Sequence, residues 1–202
     1  MKNVANERRH DVVLYGASGF VGRQTVAYFV QHGQGLRWAL AGRSADRLAA
    51  VQRDTGASMA GVVVADAQDA AALDALARSA RVVLSTAGPF AVHGSELVAA
   101  CVRHGTHYVD ITGETPWVRG LIDRHHTQAA RDGTRIIPCA GFDSVPSDLG
   151  AWLLVQALRQ AGQTCVQAKA SYTVRGGFNG GTLASALNML DTGQAALLAD
   201  PY

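Results

Sequence analysis

Short apolar runs alternate with longer stretches of mixed character along most of this chain. Residues 11–15 (DVVLY) form the first run, rich in β-branched side chains and of strand length. A helical pattern follows from about residue 19 to 31, and the glycines of HGQG, residues 32–35, stop it. The rhythm then repeats. Residues 37–41 (RWALA) predict a second strand, with a helical stretch to about residue 53. Strands are predicted again over 61–65, 81–85, 107–111 and 135–139, with helices over 69–79, 95–104 and 117–132. The strands are continuously apolar, the pattern of a sheet covered by helices on both faces. Alternation at this spacing predicts βαβ units and one parallel sheet.

Six such units by residue 139 match a doubly wound, Rossmann-type α/β domain. Beyond it the rhythm changes. Residues 147–160 read as a helix capped by Ser147, with Leu149, Trp152, Leu153 and Leu158 along one side. Residues 163–175 partly alternate, as an antiparallel strand does, GGFNGG reads as a turn, and 182–199 as a further helix. The expected organisation is a polar leader over 1–10 and a dinucleotide-binding domain over 11–146. The opening of an α+β substrate or dimerisation domain follows over 147–202. That second unit reads as truncated, because no further strand follows to cover its sheet edge.

Composition narrows the function classes. Of 202 residues, 48% are hydrophobic, enough for one full domain and part of another. The net charge of +2 and the absence of a basic cluster exclude a nucleic-acid binder by charge. The polar start lacks the apolar core of a signal peptide. No apolar run approaches the roughly 18–20 residues of a membrane span, so a soluble, cytoplasmic protein is expected. Cys101, Cys139 and Cys165 are widely spaced and odd in number, which predicts reduced thiols, neither a disulfide framework nor a metal site.

The chemistry-bearing motif is GASGFVG. Gly16, Gly19 and Gly22 stand between the first strand and its helix. A tight turn there needs a residue without Cβ, and a helix N-terminus offers free N–H groups to a pyrophosphate. Gly16, Ala17, Ser18, Gly19, Phe20 and Val21 are therefore the expected phosphate-binding segment. Ser18 stands where the second glycine of GxGxxG falls. After the second strand, an NAD-binding domain usually places an acid for the ribose 2′-hydroxyl. Here Arg43 and Ser44 stand there, and the first acid is Asp46. A guanidinium clamps a 2′-phosphate and a hydroxyl adds a hydrogen bond, so NADP is the expected cofactor. Asp66, at the end of the third strand, is placed either to contact the adenine or to cap the next helix. Ala87, Gly88 and Pro89 follow the fourth strand on the carboxyl edge, against the nicotinamide half, or form an ordinary turn.

In this order GASGFVGR, LAGRS, TAGPF, GTHYVDITGE and GFDSVPSDLG resemble the saccharopine dehydrogenase-like oxidoreductases, in particular the branch with trans-acting enoyl reductases. The resemblance runs from about residue 11 to the end. It implies an NADP-dependent oxidoreductase acting on an enoyl thioester or lipid intermediate, or on an imine or keto substrate. It also implies a substrate domain inserted before the chain returns to the first, with a homodimer as a candidate assembly. Hydride transfer needs an acid or hydrogen-bond donor near the acceptor, and Asp143, Ser144 and Glu114 follow the sixth and fifth strands. Asp143 and Ser144 equally suit the entry to the next helix. An extended short-chain dehydrogenase is disfavoured, since none of Tyr15, Tyr28, Tyr108 and Tyr172 has a lysine four residues on. A module that binds or senses NADP without turnover stays open.

Overall fold

The computed structural model describes residues 8–173, 175–177 and 180–193. Six strands, β1 (His10–Tyr15), β2 (Trp38–Gly42), β3 (Gly61–Val64), β4 (Ala80–Ser85), β5 (His107–Asp110) and β6 (Ile136–Ile137), form one sheet. Its order is β3-β2-β1-β4-β5-β6, and every pair is parallel. This is the doubly wound Rossmann arrangement, with the strand order reversing between β1 and β4. The helices are α1 (Phe20–His32), α2 (Ala45–Thr55), α3 (Ala70–Ser79), α4 (Phe90–His93), α5 (Ser95–Arg103), α6 (Thr115–Asp132), α7 (Val145–Gln160) and α8 (Gly180–Asp191).

Successive side chains of a strand point to opposite faces, which splits the core in two. Val13 and Tyr15 pack with Leu73, Leu76, Leu97 and Val98 on one face, and Leu14 packs with Val26, Leu48 and Val51 on the other. Burial on both faces explains why residues 12–15 of β1 form an unbroken apolar run. Ahead of it, Arg8 reaches across the amino edge. Its guanidinium donates to the carbonyls of Ala77 (2.9 Å), Ala80 (2.5 Å) and His104 (2.6 Å) and to the Thr106 hydroxyl. Ordered packing thus begins before the first strand.

Asp11 binds Arg37 through both carboxylate oxygens, at 2.9 Å to Nη2 and 3.2 Å to Nε, and accepts the Arg37 backbone N–H at 3.0 Å. These bonds hold its carboxyl down at about 2, against 3.8 for the free group. A carboxyl depressed by folding stabilises above its free value and loses that contribution as pH falls through the folded one. Urea unfolding of Asp11→Asn is therefore expected to lose less stability than the wild type between pH 4 and about pH 2. Equal slopes in the two proteins over that interval would refute the assignment.

Four sequence expectations change. The strand predicted over 163–175 is absent among the described residues there, and Val166 is 95% exposed, with no strand among the described residues to offer it a ladder. The predicted sixth strand shortens to Ile136–Ile137, which pair only with Tyr108 and Val109. The helix expected from 147 starts at Val145, so Ser144 takes the cap position, while the Ser147 hydroxyl accepts a hydrogen bond from Tyr172 at 2.7 Å. Leu149, Trp152 and Leu153 on α7 are each more than half exposed, so that helix covers no core. The final helix is described only to Asp191, and residues 194–199 of the predicted stretch lie outside the described residues. No helix among the described residues is long and apolar enough to cross a membrane.

Candidate functional site

Parallel register places Ala41, Tyr15, Ser85 and Asp110 opposite one another, so the carboxyl ends of β2, β1, β4 and β5 form one line. In open α/β sheets ligands bind outside this edge, at the reversal of strand order. The glycine turn lies there. Gly16 has φ +84°, and a Cβ on it would stand 2.9 Å from the Ala87 nitrogen. The two loops at the reversal are therefore in contact. Thr86 ties them, its N–H donating to the Tyr15 carbonyl at 2.9 Å and its hydroxyl to the Tyr15 and Gly16 carbonyls.

The first three helices differ at their N-termini. Ser44 caps α2 by accepting the Arg47 N–H, and Asp69 caps α3 by accepting the Ala72 N–H. Gly19 precedes α1 with no side-chain cap, and Gly19 and Phe20 are exposed. An uncapped helix end beside a cradle that tolerates no Cβ suits an anionic group held by backbone N–H donors. These residues fit the pyrophosphate of a dinucleotide.

Further along the edge, Arg43 is exposed immediately after β2. Ser44 spends its oxygen on the α2 cap, which leaves its hydroxyl proton to donate outward. Asp66 does not cap α3, the position that Asp69 takes. Its Oδ1 accepts the Gln68 N–H at 2.9 Å and shapes the loop after β3. Tyr15 reaches under this loop and donates to the Ala65 carbonyl at 3.3 Å. Burial first, then the negative charge of Asp66, pushes its phenol up to about 12, so it remains a donor at neutral pH.

On the other side of the reversal, Gly88 and Pro89 lead into α4, a short helix absent from the sequence expectation. Glu114 is 2% exposed. Its Oε1 accepts the Phe90 N–H and its Oε2 the Ala91 N–H, each at 2.8 Å, and Oε1 also accepts the Ser185 hydroxyl at 2.7 Å. Asp110, with no exposed surface, accepts the N–H groups of Thr112 (3.0 Å) and Cys139 (3.1 Å) on Oδ1. Burial outweighs those bonds and holds its carboxyl above the ordinary value. Cys139 is the one non-glycine residue at positive φ, 59°, among the described residues, and its bond to Asp110 fixes the loop that carries Asp143. Asp143 is exposed, and Ser144 is half-buried with its N–H on the Gly141 carbonyl at 3.2 Å.

Sequence reasoning did not single out Thr86, Asp110 or Ser185. A charged residue closing an otherwise apolar strand was a readable signal for Asp110, since a buried carboxylate needs nearby donors. Thr86 and Ser185 carried no such signal. The three cysteines are free, and Cys101 is buried.

A six-stranded parallel sheet in this order, with an uncapped glycine turn at its reversal, defines a dinucleotide-binding domain of the Rossmann class. Residues 12–137 match the family model described as the saccharopine dehydrogenase NADP binding domain, and the chain belongs to that family. NADP is accordingly its cofactor. Over 98% of its length it is 44% identical to a Mycobacterium tuberculosis protein provisionally named a trans-acting enoyl reductase, and covers 49% of that protein. It is 45% identical over 79% of its length to the trans-acting enoyl reductase of Mycobacterium leprae, covering 39% of it. The chain thus spans about half the length or less of these curated relatives. The fold is shared with saccharopine dehydrogenase (L-Glu forming) from Saccharomyces cerevisiae. The TM-score is 0.61 at 24% identity, over 76% of this chain and 32% of that one.

Proposed function

We propose that this chain is the cofactor-binding half of an NADP-dependent enoyl reductase that acts on an enoyl thioester or lipid-bound intermediate. The observation that carries the reading is the uncapped α1 turn joined to Arg43, which stands where an NAD-binding domain places an acid. The relatives' names supply the enoyl reductase activity, and the thioester or lipid-bound form of the substrate is part of this proposal. Residues 11–146 form the cofactor domain in this proposal, and 147–202 open the substrate domain.

Bound NADPH supplies the hydride. The chain's own residues bind and orient it. The Gly16 to Val21 turn holds the pyrophosphate through the N–H groups of Ser18, Phe20 and Val21, those of Gly16, Ala17 and Gly19 being bonded to the Ala41 and Gly16 carbonyls, and Arg43 with the Ser44 hydroxyl holds the 2′-phosphate. Asp66 borders the adenine, and Ala87, Gly88 and Pro89 support the nicotinamide half. Asp143 and Ser144 are the groups left to donate a proton to the substrate, because the Glu114 oxygens are already occupied.

A fluorescence titration with NADPH and NADH tests this. The wild type is expected to prefer NADPH, and Arg43→Ala to weaken NADPH roughly 10- to 100-fold, the loss of a charge-assisted pair, with NADH unchanged. Equal affinity of the wild type for both dinucleotides would sink the assignment of Arg43.

A further inference from the structure

Glu114 sits in the loop between β5 and α6, and its carboxylate is bonded outside the glycine turn. Its carboxylate is buried against two other elements. On one side it takes the first two N–H groups of α4, from Phe90 and Ala91. On the other it takes the hydroxyl of Ser185 from α8. The same hydroxyl oxygen would lie 3.8 Å from a Cβ on Gly88, so Ser185 stands over the segment that leads from β4 into α4. That segment is held from two further directions. Thr86 binds it to the end of β1, and the Phe90 ring packs on Trp117 with centroids 5.9 Å apart. Trp117 is itself anchored by donating to the Ser95 hydroxyl at 2.9 Å.

A carboxylate at this point is a specific choice. Three donors converge on it, and only a group with two acceptor oxygens and no donor meets all three. An amide would turn its NH2 toward one of the backbone N–H groups. An apolar side chain would leave both N–H groups without a partner, since Pro89 at the head of α4 offers no side-chain cap.

We infer that Glu114 is a positioning residue that locks the Gly88–Pro89 segment to α8 through Ser185. In this way the helix beyond the cofactor domain sets the support for the nicotinamide half of NADP(H). The inference rests on the reading of the chain as an NADP(H) binder and deepens it. It assigns to Glu114 no contact with the reacting atoms. The Ser185 hydroxyl is the part of the device contributed from outside the sheet and its covering helices.

Two probes separate this role from general stability. NADPH engages both halves of the crevice, whereas adenosine 2′,5′-bisphosphate engages only the phosphate and Arg43 end. Affinities of both are measured for the wild-type chain and for Glu114→Gln, Ser185→Ala and Ser185→Thr. Glu114→Gln and Ser185→Ala are expected to weaken NADPH by roughly tenfold and threefold, the scale of one or two lost hydrogen bonds. The bisphosphate should bind all four proteins alike, and Ser185→Thr, which keeps the hydroxyl, should restore NADPH affinity. NADPH affinity within twofold of the wild type in Ser185→Ala would overturn the proposal. So would equal weakening of both probes in that variant. A wild-type chain that binds neither probe would overturn the cofactor reading, and this inference with it.

Discussion

Replacing Gly22 with alanine is expected to destabilise the domain by about 3 kcal/mol, the upper end of the overpacking range, and to abolish detectable NADPH binding. A Cβ at this position would lie 2.2 Å from the Gly16 carbonyl oxygen and 2.8 Å from the Ala17 Cα. Both are backbone atoms of the phosphate turn, so neither can swing aside as a side chain would. The helix must move off the turn or the turn must open. Either displaces Val26, which is fully buried against Leu14 and Leu40 on that face. Either also moves the uncapped N-terminus of α1 away from the strand end. Urea denaturation followed by circular dichroism checks the stability, and the NADPH titration checks the site. A Gly22→Ala protein with wild-type unfolding and binding would show that the helix does not pack against the turn as described.

Asp110→Ala is expected to cost about 2 kcal/mol, because two backbone N–H groups lose their acceptor. The substitution frees the Cys139 backbone from the bond that holds its φ of 59°, so the loop bearing Asp143 and Ser144 loses its register against β5. Asp110→Asn should behave differently. The amide keeps an acceptor oxygen for both donors and carries no charge to bury. In the wild type burial holds the carboxyl above its ordinary value, so ionising it at neutral pH works against folding. Asp110→Asn is therefore expected within about 1 kcal/mol of the wild type at pH 7. Urea unfolding of the two variants side by side decides the matter, and equal losses would refute the acceptor role.

The sheet was legible because helices cover both its faces. The centre of a strand such as 81–85, Val82 to Leu84, could be apolar without alternation, and glycines, charged or polar residues punctuated the runs. The phosphate turn was legible for a different reason. The Cβ-free positions Gly16 and Gly22 are dictated by backbone contacts as close as 2.9 and 2.2 Å, and such contacts leave a glycine in the sequence. What escaped the sequence depends on partners far along the chain. The Phe90–His93 helix is four residues long, too short for periodicity to register, and its first N–H groups find their acceptor 23 or 24 residues away in Glu114. Glu114 read as a free acid at a strand end, since nothing local shows that its oxygens face α4 and α8. Asp66 was left between two roles, and the cap that decides one of them belongs to Asp69, three residues on. The alternation over 163–175 was misleading because alternation alone does not supply a neighbouring strand.

The pairing of β1 with β4 also governs when the crevice can exist. Val12 lies opposite Val82, 70 residues later, with two complete strand–helix units between them. Gly16 meets Ala87 only after that long loop has closed. Closing a loop of this length costs entropy before any contact across it is gained. During synthesis the glycine turn therefore emerges long before its opposite wall, and the first βα unit alone is no nucleotide trap. Ligand affinity is thus a property of the assembled sheet, and each bound dinucleotide draws the whole folding equilibrium forward through mass action.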